Sequence, residues 1–219
     1  MIEKYLVKKI TEPVDWKVTV PGSKSMTNRA LLMAVLSAGT VRVEGVLFSD
    51  DSRHFLACLV ALGFTVEIEE EKKCVTVTGC GGRIPRGEAV IDVGSAGTAA
   101  RFLAAMLGFS DGCYEIRCSA QMKRRPMAEL FDLLSGAGAK ITFLEEEGHL
   151  PVRITGCRYA RADKTAGETP RELSLDITKS TQFLSALLLI APMVPEGMKI
   201  HITSEKTDGS YIRITRKMM

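Results

Sequence analysis

The sequence predicts an α/β protein of the α+β kind, built from a repeated β-α-β-α-β-β unit. Residues 18–79 and 90–156 show the same order of strand patterns, in which apolar residues alternate, and helix patterns with a period of about 3.6 residues. A third copy covers residues 172–219 and contains only the first part of that order. We therefore expect one domain over residues 1–219, with three repeat units of which the third is incomplete.

The first unit begins with the alternating segment "WKVTV", followed by a Gly/Ser turn and an amphipathic helix pattern. A second helix pattern and two further alternating segments complete it. Its predicted elements are strand 16–20, helix 27–39, strand 40–46, helix 50–63 and strands 64–70 and 74–79.

The second unit repeats this order around the turn "GSAG", and the third unit repeats its first half. The elements predicted for the second unit are strand 89–93, helix 98–108, strand 113–118, helix 125–138 and strands 139–147 and 151–156. Those of the third are strand 172–177, helix 180–192, strand 198–203 and the opening of a helix in 208–219. Residues 159–172 are polar and predict an exposed loop. We expect residues 210–219 to be frayed, or paired with another chain, because the partners they have in the repeat do not follow them.

The first helices of the second and third units carry apolar residues on one face, which predicts that this face lies in the core. These residues are Ala99, Phe102, Leu103, Met106 and Leu107 in the second unit, and Phe183, Ala186, Leu187, Ile190 and Ala191 in the third.

The composition is typical of a soluble globular protein and excludes several classes of partner. The net charge of +3 is small and the basic residues are scattered, so we expect no nucleic acid. The first ten residues lack the apolar segment of a signal peptide, and "FLSALLLIAPMV" is too short to span a membrane. The six cysteines form no C-x-x-C, which favours reduced thiols, no metal site and a cytoplasmic location.

The first helix of each unit begins in a segment suited to an anion. The three starts read "GSKSMTNR", "GSAGTAAR" and "TKSTQF". Helix capping alone could explain Ser25, Thr98 or Ser180 taken singly. Unpaired N–H groups at a helix start also suit phosphate or carboxylate, and glycines at 22, 94 and 97 let the backbone approach a ligand. Ser25 and Arg29 share a helical face, and Lys24 precedes them in the turn.

A second cationic cluster, "KRRP", precedes the second helix of the second unit. Pro126 suits the first helical position, and Arg125 beside it offers a planar fork to an anion. Neither Gly-rich turn has the spacing of a P-loop or of a dinucleotide fingerprint. We therefore expect no ATP, no NAD and no other cofactor.

Four separated motifs together resemble the 5-enolpyruvylshikimate-3-phosphate synthase (EPSP synthase) family. They are "PGSKSMTNRALL", "GSAGTAARFL", "KRRPMAELFDLLSGAGAKI" and "STQFLSALLLIAP". The resemblance implies an inside-out α/β domain, the N-terminal half of an enolpyruvyl transferase fold, with the C-terminal domain absent. It implies transfer of the enolpyruvyl group of phosphoenolpyruvate to the 5-hydroxyl of shikimate 3-phosphate, with release of phosphate, in aromatic amino-acid biosynthesis. The full-length enzyme would be a monomer, and this fragment could self-associate.

Carried over by position, the resemblance implies two sets of ligands, with Lys24 also catalytic. Phosphoenolpyruvate, and its competitor glyphosate, would contact Lys24, Gly97, Thr98 and Arg125. Shikimate 3-phosphate would contact Lys24, Ser25, Arg29, Ser180, Thr181, Gln182 and Tyr211. Acid–base carboxylates would come from the other domain, since no Asp or Glu here lies in a suitable motif. The chain alone would then bind substrate without turning it over.

The sequence departs from the family pattern near Tyr211, where Asp208 and Arg213 replace a common Ser and a common Asp, and Phe102 replaces Pro or Leu. Two alternative functions remain. The first is a related UDP-N-acetylglucosamine enolpyruvyl transferase; those enzymes use a Cys at the position of Ala120, and the nearest cysteine here is Cys118. A non-catalytic phosphate-binding module is the other.

Overall fold

Helices form the centre of the molecule and three β-sheets cover its outside in the computed structural model. The structure describes residues 6, 9, 11–13, 15, 17–157, 170–205 and 207–219. The central helix spans Gly97–Gly108 (α3), and every one of its residues is buried. Strands of the outer sheets alternate between exposed and covered side chains, as a sheet packed on one face requires. The expected inside-out α/β arrangement is confirmed.

The range of the first predicted unit contains two helices and a three-stranded antiparallel sheet. The helices are α1 (Lys24–Leu36) and α2 (Asp50–Ala61), and the strands are β1 (Ala38–Glu44), β2 (Thr65–Glu69) and β3 (Cys74–Cys80). The order across the sheet is β1-β3-β2.

The strand predicted over residues 16–20 is wrong, because residues 17–20 form no strand. Trp16 lies outside the described residues. Val18 and Val20 are 71% and 76% exposed. A strand needs a partner for its backbone groups, and β1 pairs only with β3 in the described part of the chain.

The range of the second unit contains a four-stranded mixed sheet. The strands are β4 (Glu88–Asp92), β5 (Cys113–Arg117), β6 (Lys140–Phe143) and β7 (Val152–Thr155), in the order β4-β5-β7-β6. Only β4 and β5 are parallel, because α3 crosses between them.

The helix predicted over 125–138 is shorter than expected. A short helix, α4 (Ala120–Lys123), is followed by α5 (Ala128–Gly136). Pro126 is therefore not the first helical residue; Met127 occupies the N-cap position of α5 without a side-chain capping bond, and its N–H donates to the carbonyl of Gly148 (3.0 Å). The turn between the two helices leaves Arg125 outside any helix.

The range of the third unit contains two parallel strands, β8 (Arg171–Leu175) and β9 (Met198–Ile202), joined through α6 (Thr181–Ile190). A last helix, α7 (Ser210–Met218), packs on α6. Its Ile212 and Thr215 are buried, so the expectation that residues 210–219 are frayed or paired with another chain is wrong. Contacts to α1 and α6 hold this helix in place.

The core lies where α3 and α6 cross beneath the sheets. The predicted core residues of α3 and α6 are buried, with Ala191 at the rim and only half-buried. Most of the predicted loop 159–172 falls in 158–169, outside the described residues. Within the described ranges, none of the helices combines the length and the apolar character needed to cross a bilayer.

Candidate functional site

The N-termini of α1, α3, α6 and α7 meet at one end of the helical core. Asn28 in the first turns of α1 donates from Nδ2 to Thr98 Oγ1 at the start of α3 (2.8 Å). A Cβ added at Gly209, the N-cap of α7, would lie 3.3 Å from Cγ2 of Thr181, the first residue of α6. The N-terminal N–H groups of four helices therefore lie in one region, which suits a bound anion.

Helix α1 begins at Lys24, not at Thr27 as predicted, so Lys24 lies in its first turn. The N-cap, Ser23, makes no side-chain capping bond, which leaves the first N–H groups of α1 without that partner. The Lys24 side chain is 52% exposed, and its Nζ lies 3.2 Å from Oδ2 of Asp51 at the start of α2. A cation and a carboxylate thus stand together at the edge of the site.

Arg29 is fully buried and joins three helices. Its guanidinium donates to Thr215 Oγ1 (2.7 Å), to the carbonyl of Ser25 (2.8 Å) and to Ser185 Oγ (3.2 Å). Its guanidinium carbon lies 5.2 Å from the ring centre of Phe102 and 5.5 Å from that of Tyr211. Burial lowers the pKa of Arg29 from its usual value, although Tyr211 opposes that effect. The structure places Arg29 beneath the site, where α7 separates it from solvent.

Two guanidinium groups converge on Gly97, the first residue of α3. A Cβ added there would lie 2.7 Å from Nη1 of Arg125, 2.8 Å from Nη1 of Arg101 and 3.8 Å from Oε1 of Gln182. Arg125 is exposed, whereas Arg101 is buried and donates from Nη1 to the carbonyl of Gly97 (3.0 Å). The described ion pairs include neither arginine. Thr98 is buried and serves as the acceptor for Asn28.

The other two glycines that were expected to approach a ligand pack against the protein itself. A Cβ at Gly22 would lie 2.4 Å from the carbonyl oxygen of Gly45. At Gly94, which has a φ of +53°, a Cβ would lie 2.3 Å from Nε2 of His54. Of the three glycines, only Gly97 therefore lies in the candidate site.

The start of α6 presents a row of half-buried polar side chains. Ser180 is the N-cap, and its hydroxyl accepts from the N–H of Gln182 (3.2 Å). Thr181 and Gln182 follow in the first turn, both half-buried. The predicted polar ligands of the third unit thus stand beside those of the first and second.

Tyr211 is 46% exposed at the start of α7, and the two departures from the family pattern meet beside it. Asp208 Oδ2 and Arg213 Nη1 form an ion pair on the surface. Hydrogen bonds from the N–H of Gly209 and from Arg213 hold the pKa of Asp208 below its usual value. Each charge of the pair is the counter-ion of the other, so Asp208 adds little net negative charge to the site.

Sequence reasoning missed Asp51 and Arg101. Asp51 follows Asp50 at the start of α2, where acidic residues are common because they suit the helix dipole, so nothing in the sequence marked it. Arg101 lies in the motif "GSAGTAARFL", but an arginine between apolar helix positions usually faces solvent, so the pattern does not mark it as a site residue. Within the described residues, no group of His, Cys, Asp and Glu is arranged to hold a metal ion.

A family model described as EPSP synthase (3-phosphoshikimate 1-carboxyvinyltransferase) matches residues 8–219. The chain belongs to the EPSP synthase family. A curated member, the 3-phosphoshikimate 1-carboxyvinyltransferase of Sulfurovum sp. (strain NBC37-1), is 42% identical over 207 residues, 94% of this chain and 46% of that protein. The chain therefore spans about half the length of the curated relatives it matches.

Two solved structures share the fold. EPSP synthase from Acinetobacter baumannii has a TM-score of 0.70 and 26% identity over 87% of this chain and 41% of that chain. The enolpyruvyl transferase NikO from Streptomyces tendae has a TM-score of 0.55 over 91% of this chain and 41% of that one, with 18% identity, so it shows the fold alone. The fold that the resemblance implies, one half of an enolpyruvyl transferase fold, is confirmed.

Proposed function

We propose that the chain contributes the substrate-binding half of a 3-phosphoshikimate 1-carboxyvinyltransferase. The 5-hydroxyl oxygen of shikimate 3-phosphate would add to C2 of phosphoenolpyruvate while C3 gains a proton. The C2–O bond to phosphate would then break, with loss of a proton from C3, to give the enolpyruvyl ether and inorganic phosphate. The observation that carries this proposal is the meeting of four helix N-termini with Lys24 and Arg125 at one surface.

The phosphoenolpyruvate half of the proposed site is formed by Lys24, Gly97, Thr98 and Arg125. Support comes from the position of the Arg125 guanidinium beside Gly97, with no carboxylate paired to it in the described residues. An exposed guanidinium at a helix N-terminus binds a carboxylate or phosphate through two parallel hydrogen bonds. Thr98 would support the site without contacting the anion through its hydroxyl, because that hydroxyl accepts from Asn28 and so joins α3 to α1.

The shikimate 3-phosphate half is formed by Lys24, Ser25, Ser180, Thr181, Gln182 and Tyr211. Hydroxyl and amide groups at a helix start can hold a phosphate and a ring hydroxyl at once. We keep Arg29 in this half with a changed role, because its guanidinium is enclosed and already bonded. It fixes Ser25 and Tyr211, and direct contact with the ligand would require α7 to move.

Lys24 is the proposed catalytic residue of this half, since its ammonium can stabilise the leaving phosphate and share in proton transfer. Asp51 would hold that ammonium in place through the 3.2 Å ion pair. The remaining acid–base groups would belong to a second domain that closes over the site and excludes water. We therefore expect this chain alone to bind both substrates and to release no phosphate from them.

The cysteine chemistry disfavours a UDP-N-acetylglucosamine enolpyruvyl transferase. Ala120, which begins α4, stands where those enzymes use a Cys. Burial raises the pKa of the nearest thiol, Cys118, to about 11, so it is protonated at neutral pH and unfit as a nucleophile. All six cysteines are free, which agrees with a reducing compartment such as the cytoplasm.

Calorimetric titration with shikimate 3-phosphate tests the proposal. Wild-type chain should bind it, and Gln182→Ala should bind it about tenfold more weakly because a buried ring hydroxyl loses its partner. Arg153→Ala, which removes an exposed guanidinium that pairs with Glu115 on the outer sheet, is the control and should bind as wild type. Equal affinity for inorganic phosphate and for shikimate 3-phosphate, or no difference at Gln182→Ala, would contradict the substrate assignment and favour a simple phosphate-binding module.

A further inference from the structure

A buried arginine that the proposed ligand sets leave out, Arg101, lies directly behind the two groups that would receive phosphoenolpyruvate. It is 6% exposed, on the fully buried helix α3. Its Nη1 donates to the carbonyl of Gly97 (3.0 Å), and its Nη2 lies 3.5 Å from the carbonyl of Pro126. One guanidinium thus reaches both the start of α3 and the turn that carries Arg125.

The third side of Arg101 faces α6. Its guanidinium carbon lies 5.4 Å from the ring centre of Phe183, the residue after Gln182. A cation over an aromatic face is attracted by the ring. Arg101 therefore contacts the backbone or ring of every element that contributes a side chain around Gly97.

The charge of Arg101 has no carboxylate partner among the described residues. Burial lowers its pKa to about 10, and the positive charge of Arg125 adds to this effect. Two guanidinium cations thus face each other across Gly97. The Nε of Arg101 is buried without a hydrogen-bond partner. Two cations at this distance repel each other, and an anion placed between α3 and Arg125 relieves that repulsion.

We propose that Arg101 is a positioning residue for the phosphoenolpyruvate half-site: it fixes the Gly97 and Pro126 carbonyls relative to each other and adds a second positive charge behind Arg125. This inference rests on the proposed function for the identity of the anion. Arg101 would act through Gly97 and Arg125 and would not itself contact the ligand. Lysine could replace its charge but not the fork that reaches two carbonyls.

The test is a titration of the 219-residue chain with phosphoenolpyruvate, and separately with inorganic phosphate, followed at the backbone amide of Gly97 by NMR. Arg101→Met should weaken binding of phosphoenolpyruvate by about tenfold through the lost charge. Arg101→Lys should recover part of that loss, to about threefold weaker than wild type. Arg171→Lys is the matched control and should bind as wild type. Arg171 is also largely buried, stacks on Phe109 (5.8 Å) and donates to the carbonyl of Ala137 (2.6 Å), but lies outside the site.

A merely structural role would lower affinity in both halves of the site, so the same variants are titrated with shikimate 3-phosphate, whose affinity should stay within about twofold of wild type. Equal phosphoenolpyruvate affinity in wild type and Arg101→Met overturns the inference. If Arg101→Met does not fold, equal affinity in Arg101→Lys and Arg171→Lys overturns it instead. Wild-type binding of phosphate but not phosphoenolpyruvate, with the same Arg101 dependence, would sink the proposed function and leave this inference standing. Binding of neither probe to wild type would overturn both.

Discussion

Removal of the Arg29 guanidinium should destabilise the fold, because this group is a buried tie between α1, α6 and α7. In Arg29→Met the side chain keeps most of its length but loses three hydrogen bonds, to Thr215, Ser25 and Ser185, and a longer one of 3.5 Å to the carbonyl of Tyr211. Hydrogen bonds from a charged group contribute about 1.5–3 kcal/mol each, or roughly 5 kcal/mol together. Part of this loss is offset, because Arg29→Met also removes the desolvation cost of burying a guanidinium without a carboxylate partner, which is several kcal/mol. The expected net loss is about 2 kcal/mol.

Urea-induced unfolding of the 219-residue chain measures this loss. The control is Arg53→Met, whose exposed guanidinium pairs with Glu70 on the surface. Exposed pairs contribute little, so the control should change the free energy of unfolding by less than about 0.5 kcal/mol. Hydrogen exchange in α7 should also become faster in Arg29→Met, since that helix loses a contact to α1. If Arg29→Met is destabilised no more than Arg53→Met, Arg29 is not a structural tie and our account of α7 fails.

Four further predictions concern the site. Lys24→Met should weaken phosphoenolpyruvate binding in calorimetry by at least about tenfold while urea stability changes by less than about 1 kcal/mol, because the Lys24 side chain is half exposed and only the Asp51 carboxylate, 18% exposed, loses a partner; a larger stability loss would contradict this. Gly97→Ala should weaken glyphosate more than phosphoenolpyruvate, since the added methyl group displaces the Arg125 guanidinium; equal effects in competition titrations would refute that placement. Arg213→Ala should weaken shikimate 3-phosphate binding by leaving the Asp208 carboxylate without its counter-ion, and Asp208→Asn added to it should restore affinity; a double variant as weak as the single one would count against the pairing. Alkylation of Cys118, followed by peptide mass spectrometry, should keep accelerating as pH rises from 9 toward 11, because its folded-state pKa is about 11; a rate already constant at pH 8 would mean that the thiol is activated.

The repeat pattern was enough to predict the central helices and most of the strands. Helices α3 and α6 carry long apolar faces, and sheet strands alternate, so each local signal agreed with its place in the fold. The exception, strand 16–20, has the alternation of a strand but no partner in the described structure. Pattern alone does not report whether an edge is available for pairing.

Long-range contacts explain what the sequence could not predict about the site. Helix α7 contacts Arg29 through Thr215, which is 186 residues away in the chain. The same contact hides Arg29 from the surface where its position on α1 suggested it would lie. Arg101 is buried for a related reason, since α3 is enclosed on all sides and leaves no exposed face for its polar residue. In both cases burial is a property of the packed helices, which periodicity within one helix does not show.

The most direct test of the central claim is a crystal structure of this chain soaked with shikimate 3-phosphate. Our account predicts difference density at the joined starts of α1, α6 and α7, with ligand oxygens within hydrogen-bonding distance of Ser25, Ser180 and Gln182, and with its ring against Tyr211. Ordered ligand at any other surface, with these side chains unchanged from the free protein, would contradict it.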